Sequence, residues 1–571
     1  MPLDLIIRDA MVIDGSGAPR FGADVGIDGG KIVAVGKVRE AAREIIDAHG
    51  AVVSPGFIDG HTHMDAQVFW DSLGTCSCWH GITSVVMGNC GFTLAPCRES
   101  EKHLAIRNLE RAEDISPQAM EAGIKWSWED FPQYLDAVDR LPKGINYAAY
   151  MGHSALRTYV MGERAFSQQA SEEDLAAMKR EVRKAIRSGA IGFTTSRSTA
   201  HQTPQGLPVA SRLASWDEVR QLVGVMGELG TGVFELANED MRDATRVPEY
   251  QERLKRLALD TGVPVTFGVF SAKGLPQYNW KTVLATIDAT VAAGGRMFGQ
   301  AHTRSLSVLF SFETVTPFDR LPLWSELRKR PLAEQEAALR DPSLRSKLVE
   351  AVRNRTYDPE AGVGAEVRDA NFKRIFVLDK PTPPYRCVAE LAEELGQEPV
   401  EVIIDLALAR HLKQFFLQTL ANENQDEVLG MIRHPHTVPT FSDSGAHVSQ
   451  LMDSSLQTHL LSYWVREKQA LTLEDAVRRM TSSPASHWGL TGRGLLREGY
   501  AADVIIFDPD TIGPQMPELV YDLPAGARRL KQKADGLLAT IVNGQVLLRN
   551  NEHTGAQPGK LLRGPLAGAA R

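Results

Sequence analysis

The most informative stretch of the sequence reads Ser54-Pro55-Gly56-Phe57-Ile58-Asp59-Gly60-His61-Thr62-His63-Met64-Asp65. The apolar residues before the histidines predict a β-strand, and alternate residues of a strand point to the same face. His61 and His63 can therefore both reach one metal ion, for which neutral imidazole is a common ligand. A bare His-x-His pair is usually two solvated loop residues. This pair, however, follows Pro-Gly and Asp-Gly and has a matching aspartate far downstream, so we interpret it as part of a metal site.

Beyond this stretch, apolar strand-like runs alternate with amphipathic helical stretches, a pattern typical of a parallel sheet built from βα units. The candidate strands span residues 56–63, 82–88, 145–151, 190–196, 232–237, 264–270, 297–302 and 437–443. Eight strands predict an α/β fold with a TIM-like (β/α)8 barrel. Such a barrel needs about 250 residues, so the chain must carry insertions. The largest, at about 305–436, is expected to be a helical cap beside the barrel mouth or a plain structural excursion, and it includes the proline-rich loop 380–385.

Both ends of the chain are predicted to be β-structure. Short apolar runs bounded by Gly or Asp-Gly turns fill residues 3–53, and Asn543-Gly544 between two apolar runs predicts a hairpin near the other end. Neither end can bury a core alone, so we expect them to pair into one composite β-sandwich domain. The predicted division is 1–53 for the N-terminal part of the sandwich, 54–490 for the metal-binding barrel with its insertion, and 491–571 for the C-terminal part of the sandwich and a tail.

The composition limits the classes of partner. The chain has 571 residues, 43% of them hydrophobic, and a formal net charge of −8. This charge argues against nucleic-acid binding, which needs a concentrated basic face. No apolar run reaches the roughly 18 residues of a membrane helix, and no secretory signal is predicted, so we expect a cytoplasmic protein. Five cysteines, an odd number, argue against a disulfide framework.

Several motifs resemble one known family. The first stretch resembles the strand-1 signature of the metal-dependent amidohydrolase superfamily, and Gly88-Asn89-Cys90-Gly91-Phe92 narrows the resemblance to the N-acyl-D-amino-acid deacylase, or D-aminoacylase-like, branch. Ser442-Asp443-Ser444-Gly445-Ala446-His447 also matches. The resemblance covers about residues 3–565. It implies a barrel with a β-sandwich and a metal-dependent hydrolase that acts on carbon–nitrogen bonds other than peptide bonds.

Four residues at the C-terminal ends of predicted strands make up the candidate metal site. These are His61, His63, Cys90 and Asp443, and this face of a barrel carries the active site. Cys90 alone would be read as a buried core thiol, but the resemblance implies a thiolate ligand. Asp443 could cap a helix. A carboxylate beside a metal-bound water can instead take its proton, so we predict that Asp443 is the general base and later the acid toward the leaving amine.

The sequence departs from the family at two strands. Family members carry a metal-binding histidine at the ends of strands 5 and 6, where this chain has Val233-Phe234-Glu235-Leu236-Ala237-Asn238 and Val265-Thr266-Phe267-Gly268-Val269. The lysine and arginine that hold a substrate carboxylate in the family are also missing. We therefore expect one metal ion rather than two, Zn²⁺ in the first place and Fe²⁺ or Mn²⁺ as alternatives. Glu235 or Asn238 could replace a lost ligand or could have an ordinary polar role.

The predicted function is metal-dependent hydrolysis of a C–N amide bond in a small molecule that need not be an N-acyl-D-amino acid. Alternatives are a lactone or cyclic-amide hydrolase, a decarboxylase, and an altered homologue that only binds a ligand or partner. Other polar residues near strand ends are candidate substrate contacts or structural residues, and Arg304 could hold a carboxylate. These candidates are His153, His302, Arg304 and His447. By resemblance, a homo-oligomer is expected, with no nucleic-acid or membrane partner.

Overall fold

A computed structural model describes residues 2–241, 243–272, 275–356 and 364–568. The remaining positions lie outside the described residues, and they include parts of the predicted insertion and of both predicted terminal segments. Within the described ranges, no helix is both long and apolar enough to cross a membrane.

The centre of the molecule is a closed barrel of eight parallel strands. In chain order, barrel strands 1 to 8 are Phe57–Thr62, Ile82–Met87, Asn146–Ala149 continued by Met151–Gly152, Gly192–Ser196, Val233–Ala237, Val265–Val269, Met297–Ala301 and Thr437–Pro439. Each strand pairs in parallel with the next. A parallel bridge from Thr62 to Ser444, together with the hydrogen bond that Gly60 N donates to Thr440 Oγ1 at 2.7 Å, joins the first strand to the segment of the last. The predicted barrel is confirmed.

Helices surround the barrel and connect its strands. They are Lys102–Leu109, Pro117–Gly123, Phe131–Arg140, His153–Met161, Glu172–Ser188, Trp216–Leu229, Val247–Thr261, Trp280–Ala292, Gln425–Arg433, Leu456–His459 with the π-helix Leu460–Glu467, Leu473–Met480 and Ser482–His487. The helix Glu172–Ser188 illustrates how the sequence sets their ends. Ser171 caps its first turn by accepting a hydrogen bond from Asp174 N, and Gly189, with φ of 111°, ends it in a left-handed conformation.

Both termini contribute to one nine-stranded sheet. Its path runs Glu552–His553, Gln545–Arg549, Leu537–Val542, Val504–Phe507, Val52–Pro55, Leu3–Val12, Phe21–Asp28 and Lys31–Gly36, with Ala42–Asp47 paired to Leu3–Val12. The two halves of the chain meet where Val52–Pro55 pairs antiparallel with Val504–Phe507. Two short antiparallel pairs, Gly513–Pro514 with Ala534–Asp535 and Glu518–Val520 with Arg529–Lys531, lie in sequence between Val504–Phe507 and Leu537–Val542. Leu561–Leu562 pairs in parallel with the third barrel strand. The predicted fold class is confirmed, whereas the domain boundaries stay a prediction.

The insertion between barrel strands 7 and 8 has its own hydrophobic core and more than helices. Its helices are Pro322–Arg328, Leu332–Leu339, Pro342–Arg353, Val388–Leu395 and Pro399–Ala409, and its antiparallel sheet runs Leu306–Phe310, Phe416–Ala421, Ile375–Val377 and Arg386–Cys387. Trp324 lies fully buried in this core, where its indole nitrogen donates to Leu348 O at 3.1 Å. The insertion was expected to be a helical cap or a plain structural excursion, and its sheet was not predicted, in part because Ile375–Val377 and Arg386–Cys387 are too short to show strand alternation.

Candidate active site

The four predicted metal-site residues all lie at, or shortly after, the C-terminal ends of barrel strands. His61 lies in strand 1 and His63 directly after it, Cys90 lies in the turn after strand 2, and Asp443 follows strand 8. Cys90 has φ of 55° and Asp443 has φ of 51°. Such left-handed backbone is uncommon for residues other than glycine and clusters at functional sites. The tight turns therefore hold Cys90 and Asp443 in a backbone conformation that residues other than glycine seldom adopt.

Glycines permit the close backbone approaches around the site. A Cβ on Gly445 would lie 2.4 Å from His63 O, and a Cβ on Gly91 would lie 3.0 Å from Ser196 N. A larger residue at either position would push the strand-8 segment away from His63 or the turn carrying Cys90 away from strand 4. The glycines of the two motifs are therefore required by packing.

The donor atoms of these residues converge. Asp443 Oδ1 lies 3.2 Å from His61 Nε2 and 3.4 Å from His63 Nε2, while Cys90 Sγ lies 3.5 Å from His61 Nε2. One donor atom from each of His61, His63 and Cys90 falls within 4.8 Å of the others. The two imidazoles and the thiol are buried, and the Asp443 side chain is 15% exposed. Asp443 is thus the member of this set with access to open space.

The charge states follow from burial and from these contacts. Burial by itself would raise the pKa of Asp443, but the hydrogen bonds from His61 and His63 outweigh it and hold the pKa well below its usual range. Burial raises the pKa of the Cys90 thiol, and the charge of Glu235 adds to this effect. A bound cation would reverse the second effect, because metal coordination deprotonates a thiol.

This donor set fits a divalent cation. Two imidazole nitrogens, one sulfur and one carboxylate oxygen form the mixture that zinc prefers. Two buried polar atoms beside the set, His63 Nδ1 and Glu113 Oε1, have no hydrogen-bond partner among the described residues. Buried polar atoms are rarely left unpaired, so Glu113 Oε1, on the carboxylate whose Oε2 lies 3.5 Å from His63 Nε2, has a free acceptor position beside the cluster.

Gln300 was not predicted as a site residue. Its Oε1 lies 2.7 Å from His61 Nδ1, and its amide nitrogen donates to Thr266 Oγ1 at 3.2 Å. The contact orients a proton on His61 Nδ1 toward Gln300, so Nε2, which faces Cys90 and Asp443, is the ring nitrogen that could bind an ion. Gln300 lies in barrel strand 7 two residues before His302, so the strand alternation could have indicated its inward direction.

We expect that Gln300→Leu lowers metal affinity about 10- to 100-fold, the range seen when such supporting contacts are removed. The reason is that His61 would lose the hydrogen bond that fixes its tautomer and ring orientation. Competition with a metal-binding dye measures the change. Gln335→Leu removes another buried glutamine, one in the insertion, and serves as the control, with unchanged affinity expected.

Two buried glutamates also approach the cluster. Glu235, at strand 5, accepts a hydrogen bond from Cys90 N at 2.7 Å, and its Oε1 lies 4.0 Å from Cys90 Sγ. Burial raises the pKa of Glu235 to about 7. Glu113 Oε2 lies 3.5 Å from His63 Nε2 and 3.7 Å from His447 Nε2. Glu113 comes from a segment without a motif, so it could not be predicted from the sequence. Asn238 instead bonds to Gly268 O and Tyr250.

His201 is a further residue near the cluster that was not predicted. Its Nδ1 lies 2.7 Å from Ser196 Oγ, and its ring packs edge-on against Phe92 with 5.1 Å between centroids. The ring of Phe92 is in turn 6.4 Å from that of His63. A hairpin after strand 4 therefore places an imidazole beside the cluster.

The predicted substrate contacts occupy different places. Both ring nitrogens of His153 form hydrogen bonds, Nδ1 with Thr195 Oγ1 and Nε2 with Glu218 Oε1, each at 2.9 Å. His302 Nε2 lies 3.2 Å from Asp453 Oδ2, and Arg304 pairs with Asp453 Oδ1 at 2.7 Å. Of these four residues, His447 is the one beside the cluster, through Glu113. We therefore propose no substrate contact for His153.

Comparison with known proteins agrees with this geometry. The sequence profile described as "Amidohydrolase family" matches residues 44–548. The chain is 28% identical to D-aminoacylase and 29% identical to N-acyl-D-glutamate deacylase, both of Alcaligenes xylosoxydans xylosoxydans. These alignments cover 98% of this chain in each case, and 98% and 96% of the two relatives.

Solved structures give the same result. The structure of N-acyl-D-glutamate deacylase from Bordetella bronchiseptica, complexed with zinc and a phosphonate inhibitor, is similar with a TM-score of 0.65 and 25% identity, over 99% of this chain and 100% of that one. These findings confirm the resemblance drawn from the motifs. The chain belongs to the amidohydrolase family and is a metal-dependent hydrolase that acts on carbon–nitrogen bonds.

Proposed function

We propose that this hydrolase cleaves the amide bond of small N-acyl compounds and does not require a free α-carboxylate on them. His61, His63, Cys90 and Asp443 would hold one ion, for which Zn²⁺ fits best, and Glu235 would support Cys90. The observation that carries this proposal is the contact of Asp443 Oδ1 with both imidazoles, at 3.2 and 3.4 Å. When bound, such an ion polarises a carbonyl and lowers the pKa of water toward about 7.

The residues of the chain would supply proton transfer and positioning. Asp443 Oδ1 faces both imidazoles, and the other carboxylate oxygen would accept a proton from water and return it to the leaving amine. The buried histidines and Phe441, which stacks on His61 with 3.8 Å between ring centroids, keep bulk water away from this step.

The proposed substrate class follows from the charges near the mouth. Asp453 occupies the region where the family has its carboxylate-binding arginine, and Glu113 and Glu235 add two more buried acids. These acidic groups offer no partner to the free α-carboxylate of a substrate.

Protein purified without added metal should contain about one equivalent of zinc, and N-acyl amino-acid carboxamides should be hydrolysed at least as fast as the matching N-acyl-D- and N-acyl-L-amino acids. A strong preference for the free acids would contradict the proposal.

We propose that His201 donates a hydrogen bond to the substrate. Burial lowers its pKa to about 3, so the ring is neutral. Ser198 N donates to Ser196 Oγ at 3.3 Å, and in the proposed tautomer the Ser196 hydroxyl donates to His201 Nδ1, so that the ring proton lies on Nε2. An N–H held in this way can stabilise negative charge that develops on a carbonyl oxygen.

His201→Ala should therefore lower kcat about 100-fold with little change in KM, as expected when a transition-state donor is lost. Ser196→Ala should show a smaller loss of the same kind, and bound zinc should be unchanged in both. His103→Ala, at an exposed position, is the control. Equal rates for wild type and His201→Ala would remove the assigned role while leaving the hydrolase proposal intact.

We further propose a cytoplasmic homo-oligomer that binds no nucleic acid. This follows from the composition and the family resemblance. Light scattering of the purified protein measures its molar mass in solution and hence the number of subunits.

A further inference from the structure

Glu113 is a buried carboxylate that lies beside the candidate metal-binding donors and belongs to none of the family motifs. It follows the helix Lys102–Leu109 in the connection after barrel strand 2, and it is 2% exposed. Its Oε2 lies 3.5 Å from His63 Nε2, close to the 3.4 Å that separates Asp443 Oδ1 from the same nitrogen. Two atoms that bind one zinc ion lie about 3–4 Å apart, because each is about 2 Å from the ion. Glu113 therefore stands at the distance expected of a ligand.

The backbone around Glu113 is bonded to the segment that carries Asp443. His447 N donates to Glu113 O at 2.8 Å, and Ser449 Oγ donates to Asp114 Oδ2 at 3.2 Å. The ring of His447 lies on the same side, with its Nε2 3.7 Å from Glu113 Oε2. Glu113 is thus held in place from two sides, by its main chain and by its side chain. These contacts direct its carboxylate toward the cluster.

The surroundings of Glu113 do not neutralise its charge. Among the described residues, its ion-pair contacts are with the imidazoles of His63 and His447, and none is with a lysine or an arginine. The charges that act on it most strongly come from other acids, Asp443, Glu235 and Asp65. Its Oε1 is buried without a hydrogen-bond partner in the described ranges. Buried charges are normally paired or bound to a metal, so this carboxylate calls for a cation.

We propose that Glu113 binds the ion of the metal site directly, through Oε2, as a ligand that the family motifs do not supply. The histidines that the family has at the ends of strands 5 and 6 are missing from this chain, and Glu113 would restore one ligand from a different loop. A carboxylate oxygen is an ordinary zinc ligand beside imidazole and thiolate. The inference rests on the proposed function, which requires the ion, and adds a fifth side chain to its binding site.

Zinc affinity of the Glu113→Gln variant tests the proposal. The amide keeps the size of the side chain but removes its charge, so competition with a metal-binding dye should show at least about tenfold weaker binding, the smallest loss expected even for a contact that only supports a ligand. Glu110→Gln is the matched control. Glu110 lies three residues earlier, directly after the same helix, and this variant should bind zinc as tightly as the wild type.

Thermal unfolding separates a ligand from a residue that only packs. Without metal, Glu113→Gln should raise Tm, because a buried carboxylate among other acids destabilises the fold until a cation binds. Added zinc should then raise the Tm of the wild type more than that of the variant, since tighter binding stabilises the folded state more. A residue that served only to hold His447 would behave differently, and its replacement would lower Tm with and without zinc.

Cobalt-substituted protein reports the ligand set without any assay of activity. The intensity of the visible d–d bands depends on the number of ligands, so it should differ between the wild type and Glu113→Gln. Equal zinc affinity and equal d–d bands in the two proteins, or a lower Tm of the metal-free variant, would overturn the role of Glu113 and leave the hydrolase proposal intact. A wild-type protein that binds no zinc at all would instead contradict the whole metal site and the proposed function with it.

Discussion

Replacement of Asp443 by asparagine should lower kcat/KM by about a thousandfold or more, within the range of losses for a general base. Asparagine keeps the shape of the side chain but cannot accept the proton of water or return it to an amine. Because His61, His63 and Cys90 still supply three donors, we expect the variant to retain its zinc. Steady-state kinetics on the best carboxamide substrate, together with metal analysis of the same sample, measures both quantities.

A matched substitution makes the Asp443 result specific. Asp405→Asn changes an aspartate that is 44% exposed, pairs with Arg345 on the insertion, and should leave kinetics and metal content unchanged. If Asp443→Asn keeps more than a small fraction of the activity while folded and metal-loaded, proton transfer must use another group. Glu113 and Glu235 would be the next residues to replace.

Substitution of Cys90 by alanine should lower zinc affinity by about a hundredfold or more, since even supporting contacts are worth 10- to 100-fold. The thiol lies 3.5 Å from His61 Nε2, so its loss removes one of the donors that surround the same space. Cobalt-substituted wild-type protein should show a sulfur-to-cobalt charge-transfer band in the near ultraviolet, and Cys90→Ala should lack it.

Cys97→Ala is the control for the Cys90 substitution, because Cys97 is also a buried free thiol but bonds to Arg98 O. We expect this control to keep the charge-transfer band and the zinc. A band that survives in Cys90→Ala would show that another ligand holds the ion, and the assignment of Cys90 as a ligand would then fail.

The barrel could be predicted because each of its strands is marked by a pattern in its own stretch of sequence. Most are short apolar runs followed by an amphipathic helix, and all eight predicted ranges overlap an observed strand. The insertion sheet could not be predicted, since Ile375–Val377 and Arg386–Cys387 become strands only through pairing with a distant partner or with each other. Their hydrogen bonds depend on the folded insertion and not on local alternation.

For the active site, the same distinction holds. His61, His63, Cys90 and Asp443 stand in motifs at strand ends, so their shared face followed from the barrel. Glu113 reaches His63 from an irregular segment between two helices, and no spacing in the sequence links them. For Arg304, the sequence suggested contact with a carboxylate but could not indicate that this carboxylate belongs to Asp453.

The pairing of Val52–Pro55 with Val504–Phe507 has a consequence for biosynthesis. While the ribosome is still translating the barrel, the N-terminal strands have no partner on this edge, and their apolar residues stay open to other chains. Release of the complete polypeptide is what allows the sheet to close. A premature stop anywhere in the barrel would therefore leave a fragment with an unprotected strand edge. Such a fragment would aggregate or be degraded by quality-control proteases.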